Sequence, residues 1–143
     1  MARTTVKDAT PTCRVLRAEA ETAGKQGHLY ARGISAQSVG AQGIHLQLVR
    51  MEPSGRAKAH KHEAHETAIY VLSGESGMWY GENLEHHLTA RAGEFLYIPA
   101  NMPHLPYNLN ATESCVAVIA RTDPNDQEST VLLPELDRDD RDA

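Results

Sequence analysis

Apolar residues in this chain come in short runs, and from position 43 onward they alternate with polar ones instead of recurring every three or four residues. Segment 44–50, IHLQLVR, has the two-residue period of a strand: Leu46 and Leu48 share one face, and His45, Gln47 and Val49 share the other. Short runs rich in Val, Ile, Leu, Tyr and Thr, bounded by Gly, Pro and Asn, predict strands near 13–18, 28–34, 43–52, 57–62, 67–73, 76–81, 86–90, 94–98, 105–109, 114–121 and 129–133. Gly74, Gly77, Gly81, Gly93 and the pair Pro99 and Pro103 mark turns between them. No helical stripe is sustained; 7–27 contains ETAGKQG and has room for at most one short helical turn. Many short strands at this spacing predict an all-β sandwich or barrel. Whether His45 and Gln47 face a barrel interior or solvent is left open by the alternation alone.

Composition narrows the classes. With 143 residues the expectation is a single domain, 1–143, with the barrel at about 28–134 between a mobile N-terminal arm and an acidic C-terminal tail, PELDRDDRDA. A formal net charge of −5 argues against nucleic acid, which needs a basic face. No apolar run is long enough for a membrane span. The opening MARTTVKDATPT has no apolar signal-type region, and Cys13 and Cys115 match no zinc or redox spacing. Reduced thiols and a cytoplasmic location are therefore expected.

Eight histidines are many for this length, and three of them fall within six residues. In GRAKAHKHEAHE, His60 and His62 are two apart, so on a strand both imidazoles point the same way. That is the arrangement two ligands need to grip one ion, although a lone His-x-His also arises on surface strands. A second segment, AGEFLYIPANMPHLPYN, spaces Gly93, Pro99, Asn101, His104 and Asn108 in a longer pattern.

Together the two segments resemble the paired motifs of the cupin superfamily, G-x5-H-x-H-x3–4-E-x6-G followed by G-x5-P-x-G-x2-H-x3-N. The resemblance covers about 55 residues from Gly55 to Asn108, and the second motif is the more specific. It implies a double-stranded β-helix, or jelly-roll barrel, holding one divalent ion (Fe, Mn, Ni, Co or Zn), with His60, His62 and His104 as ligands. Two departures stand out. Asn101 occupies a turn position where the family has Gly, and Asn is the residue that best tolerates a left-handed backbone there. Ser54 occupies the first glycine spacing, with Gly55 one residue late. The fourth ligand is ambiguous: counting forward from His62 leads to Glu66, but counting back from Gly74 leads to Thr67. A carboxylate is the better ligand, which favours Glu66 turned inward by a bulge or a loop; the rival is a three-histidine site completed by water.

His65 stands beside Glu66 and is read as a solvent-facing turn residue, with a place at or behind the metal as the alternative. His86 and His87 are expected as non-ligands on a hairpin arm. Tyr70, Trp79, Tyr97 and Tyr107 either line a pocket or supply bulk to the core or to a subunit interface. The resemblance implies an enzyme acting on a small organic molecule, of oxygenase or isomerase/cyclase type; strand alternation alone makes His45 the candidate catalytic acid or base. The alternative is a non-catalytic module binding a sugar or other small ligand. A metal-free sugar epimerase on the same fold has no use for this ligand set. A homodimer is expected, with TVLLP at 130–134 able to complete a partner's sheet.

Overall fold

The computed structural model describes residues 11–126 and 129–137. Eleven strands lie among the described residues, in two antiparallel sheets. The six-stranded sheet runs β1 (Thr22–Ala23), β2 (Leu29–Ile34), β3 (His45–Met51), β10 (Cys115–Arg121), β5 (Thr67–Ser73), β8 (Phe95–Ile98). The five-stranded sheet runs β11 (Thr130–Leu132), β4 (His60–His62), β9 (His104–Asn108), β6 (Glu75–Tyr80), β7 (His86–Arg91). This is the two-sheet jelly roll that the strand spacing predicts. No described helix is long and apolar enough to cross a membrane, which says nothing about membrane β-barrels.

The strand expected at 13–18 does not form. Residues 11–20 are exposed throughout, and Val15 is wholly so. Val15 and Leu16 are a lone apolar pair between arginines, with no alternation to bury against a sheet. The hairpin partner of β2 is instead β1, with Thr22 opposite Tyr30. Residues 1–10 of the expected arm, and residues 138–143 of the acidic tail, lie outside the described residues. The crossover from β2 to β3 carries a four-residue helix, α1 (Ala36–Val39). It is started by a reciprocal Ser35–Ser38 capping box and ended by Gly40 in the left-handed conformation.

Alternation sorts the barrel interior into layers. On β3, His45, Gln47, Val49 and Met51 all point inward, as the two-residue period requires. At one end Met51, Val71, Ala90 and Cys115 pack together with Leu96. A layer above, Tyr30, Val49 and Ala117 pack with Ile69 and Ile119. Each such aliphatic side chain contributes roughly 1.5–3 kcal/mol when fully buried. At the other end the row turns polar: His45, Arg121 and Thr67 are direct neighbours across β3, β10 and β5, and all three are buried.

A third cluster, Ala59, Leu84, Leu105 and Tyr107, lies on the far side of the five-stranded sheet, against Leu133 and Leu136 from the 3-10 turn Pro134–Leu136. The C-terminal segment therefore serves its own barrel. β11 pairs with β4, placing Thr130 opposite His62 and Leu132 opposite His60. The segment expected to complete a partner's sheet pairs here with β4 of its own chain, and Leu133 and the turn after it cover an apolar surface of that chain.

Candidate metal centre

The centre forms where β4 meets β9. β4 alternates buried, half-buried, buried, so His60 and His62 enter the barrel while Lys61 leans away. His60 is directly opposite His104 in the ladder. Ring centroids are 4.9 Å apart for His60 and His62, 4.3 Å for His60 and His104, and 5.2 Å for His62 and His104. One ring nitrogen from each lies within 4.8 Å of the others, and all three residues are buried.

The outward nitrogens define the tautomers. His60 Nδ1 is 2.6 Å from the Lys58 carbonyl and His104 Nδ1 is 2.8 Å from the Met102 carbonyl. A carbonyl can only accept, so each Nδ1 carries the hydrogen and each Nε2 keeps its lone pair. His62 Nδ1 contacts the Thr130 hydroxyl at 3.4 Å, which is what β11 brings to the site. Burial above all, and then the neighbouring His60 and His62, hold the His104 pKa well below the ordinary histidine value. A neutral imidazole with its lone pair turned inward is the form that a metal requires.

Glu66 is not brought to this cluster. After His62 the chain turns at Ala64 in the left-handed conformation (φ 63°), and Glu66 emerges on the outer surface, accepting a hydrogen bond from the Tyr97 hydroxyl. Thr67, its alternative, begins β5 facing inward and lines the cavity. Counting back from Gly74 gives the register that the strand adopts, and the turn absorbs the odd residue. The two departures from the motif behave as their residue types allow: Asn101 has φ 64° and Ser54 φ 58°.

His65 is buried, not solvent-facing; its ring stacks at a tilt 5.0 Å from His62, and Nδ1 is 3.8 Å from Asp123. His86 and His87 are exposed on β7, beside Tyr80 and Trp79. His45, whose direction the alternation left open, points inward and is fully buried, with Nε2 3.3 Å from Asp126, but it does not line the cavity beside the histidines. None of Tyr70, Trp79, Tyr97 and Tyr107 lines that cavity; the tyrosine that does is Tyr30.

The cavity beside the triad has a volume of about 70 Å³, and most of its wall is aliphatic. It shares Gln26, Tyr30, Gln47 and Arg121 with a second, more polar cavity of about 140 Å³. His28 and Arg121 are wall residues that the motifs do not reveal. Arg121 could have been found from parity, since Cys115, Ala117, Ile119 and Arg121 alternate on one face. His28 leaves only a faint trace, a histidine one residue after a glycine turn.

A family model described as "Cupin domain" matches residues 47–120, which include both histidine-bearing segments. Oxalate decarboxylase from Lactobacillus farciminis, solved as a formate complex, superposes with a TM-score of 0.66 at 18% identity, over 80% of this chain and 33% of that one. A mutant of Bacillus subtilis oxalate decarboxylase gives 0.65 at 24% identity, over 80% of this chain and 30% of that one. A putative sugar phosphate isomerase from Acidithiobacillus ferrooxidans gives 0.54 at 22% identity, over 69% and 68% of the two chains. The chain thus spans about a third of the decarboxylases' length, and at these identities the likeness is one of fold. No curated protein matches.

Proposed function

The chain belongs to the cupin family, and on that premise we propose that it is a metal-dependent enzyme acting on a small organic molecule at His60, His62 and His104. The observation that carries the reading is the pair of Nδ1–carbonyl bonds, which turn the lone pairs of His60 and His104 toward one point. An all-nitrogen set of three suits Fe, Mn, Co, Ni or Zn and leaves coordination positions open. Thr67, a neutral hydroxyl, adds no strong ligand.

A bound divalent ion supplies Lewis-acid polarisation and, if redox-active, one-electron chemistry. The chain's own residues do the rest. His60, His62 and His104 would hold the ion, with the rings of His60 and His104 fixed by their Nδ1–carbonyl bonds. The aliphatic wall built from Val49, Val71, Met78 and Ile98 excludes water and holds an apolar group. Arg121, Gln47 and Gln26 line the passage between the two cavities, where a polar group enters. The fold neighbours include a decarboxylase and a putative isomerase, so the fold leaves the reaction class open.

The test loads the apo-protein with Fe(II), Mn(II), Ni(II) or Zn(II) and offers each form diols, diketones, phenolics and sugar phosphates, with and without dioxygen. Turnover confined to a redox metal with oxygen consumption identifies an oxygenase; anaerobic turnover that tolerates Zn(II) identifies an isomerase or cyclase. Ligands that raise the melting temperature yet emerge unchanged from every metal form leave a binding module instead.

A homodimer belongs to the same reading. With β11 used internally, its support moves to the outer face of the six-stranded sheet, where Leu72 (50%), Phe95 (82%) and Tyr97 (59%) are exposed together. Phe95→Glu is expected to shift the sedimentation mass from dimer to monomer; a monomeric parent protein refutes the dimer.

A further inference from the structure

Beside the metal-binding face of the cavity stands a histidine that no motif explains. His28 lies between the β1–β2 turn and β2, and it is 5% exposed. Within the turn the Gly24 amide donates to the His28 carbonyl, and the Lys58 amide donates to the Gln26 carbonyl, which fastens the turn to the segment leading into β4. Because Lys58 immediately precedes Ala59 and His60, the hairpin closes the seam beside the ligand strand and aims Gln26 and His28 into the barrel.

The ring of His28 is hydrogen-bonded to the Pro106 carbonyl, and Nε2 is buried with no hydrogen-bond partner. The bond to Pro106 is therefore made by Nδ1, which must carry the hydrogen, and Nε2 is left as a bare acceptor. Burial, with the Pro106 bond opposing it and His60 adding to it, pushes the pKa down to about 4, so the ring is neutral near pH 7. A buried acceptor without a donor costs the folded state free energy, and such a group calls for a ligand or a water. The surrounding wall is aliphatic: Val49, Met51, Ile69, Met78 and Ala117 lie in the same cavity.

We propose that His28 is a ligand-contacting residue whose Nε2 accepts a hydrogen bond from the hydroxyl of a small, otherwise apolar molecule, which makes a phenol or enol the substrate class of this cavity. A dicarboxylate offers no hydroxyl donor at neutral pH and has no apolar body to fill the aliphatic wall. A sugar phosphate would leave most of its hydroxyls facing hydrocarbon. The inference deepens the proposed function and rests on it for the role of the adjoining histidines, but the hydrogen bond itself can be measured without metal.

The experiment titrates the full-length, metal-free chain with phenol and with anisole, which has the same ring but no hydroxyl donor, followed by NMR shifts. Phenol is expected to bind about five- to tenfold more tightly than anisole, the worth of one neutral hydrogen bond in a dry site. His28→Phe should abolish that preference while leaving anisole unchanged. His28→Gln, whose amide oxygen extends toward the place of Nε2, should keep part of it. Equal affinities in the parent protein overturn the proposal even if the Phe variant fails to fold, as does a preference that survives in a folded Phe variant. Oxalate or glucose 6-phosphate displacing phenol also overturns it. Zinc uptake is measured in parallel. Loss of uptake in His28→Phe on the scale of His104→Ala would make His28 a ligand and overturn the contact role. A parent chain that takes up no zinc yet prefers phenol refutes the metal reading and upholds this one.

Discussion

β4 and β9 are paired neighbours in one sheet and together carry the histidine cluster, yet the segments flanking them are secured in opposite ways. The approach to β9 is over-determined. Pro99 and Pro103 restrict the backbone, Asn101 takes the left-handed turn, and its amide reaches across to the His62 carbonyl at 2.8 Å. Beyond His104, buried Asn108 donates through Nδ2 to the carbonyls of Met51, Glu52 and Glu113 at 3.0, 3.1 and 2.8 Å. The exit from β4 has no proline and turns on a left-handed alanine. It is tied down chiefly at Glu66, whose amide donates to Thr122 Oγ1 and whose carbonyl accepts from the Thr122 amide. One segment is held by covalent restraint and buried hydrogen bonds. The other carries strain of about 1–2 kcal/mol at Ala64 and is anchored near the surface.

The largest expected effect tests what both segments exist to hold. His104→Ala removes the ligand on the rigid side and should lower metal affinity by more than about 100-fold, since groups merely behind a ligand are worth 10–100-fold. A competition titration against a chromophoric chelator reads this directly. The variant should still unfold cooperatively, because three apolar clusters support the barrel without the ion. Undiminished metal uptake would refute the His60, His62 and His104 site.

The next effect compares the anchors. Asn108→Ala leaves the buried Met51 carbonyl, and the partly buried carbonyls of Glu52 and Glu113, short of a donor and should cost about 2–3 kcal/mol in urea unfolding. Thr122→Ala, at the exposed anchor of the other segment, should cost about 0.5–1 kcal/mol. Similar costs for the two would remove the contrast between a rigid and a lightly held segment.

The same contrast decided what could be read from the sequence. The β9 side was legible because its determinants are side-chain types at fixed spacing: prolines for the bend, Asn for the left-handed turn, Asn108 for the carbonyl strut. The layering of β3 was legible in part for an equally local reason, the two-residue period that put His45, Gln47 and Val49 on one face. What failed lay beyond strand parity. Parity put His45 and Gln47 on one face but left open which way that face turns, and it could not show that Asp126, from a distant loop, stands 3.3 Å from His45, which does not line the cavity beside the histidines. His28 was invisible because its role depends on a turn docking against 56–58, a contact between residues some 30 positions apart. Burial of His65 likewise follows from the Ala64 turn, and alanine carries no signal for a left-handed backbone.

The smallest expected effect is the sharpest test of that turn. If Ala64 absorbs the odd residue, Glu66 belongs to the surface, and Glu66→Gln removes only an exposed charge and a bond from Tyr97. Metal affinity should then stay within about twofold of the parent, the scale of a screened surface charge. Thr67→Val should be similarly mild toward the metal, because a neutral hydroxyl is a weak ligand, although it changes the cavity wall. Ala64→Gly provides the control, since glycine accepts φ 63° without strain and should raise stability while leaving metal affinity alone. A large loss of affinity in Glu66→Gln, on the scale of His104→Ala, would mean that the segment refolds around the ion to bring the carboxylate inside. The lightly held anchor at Thr122 would then be what permits that movement, and Thr122→Ala should strengthen metal binding instead of leaving it unchanged.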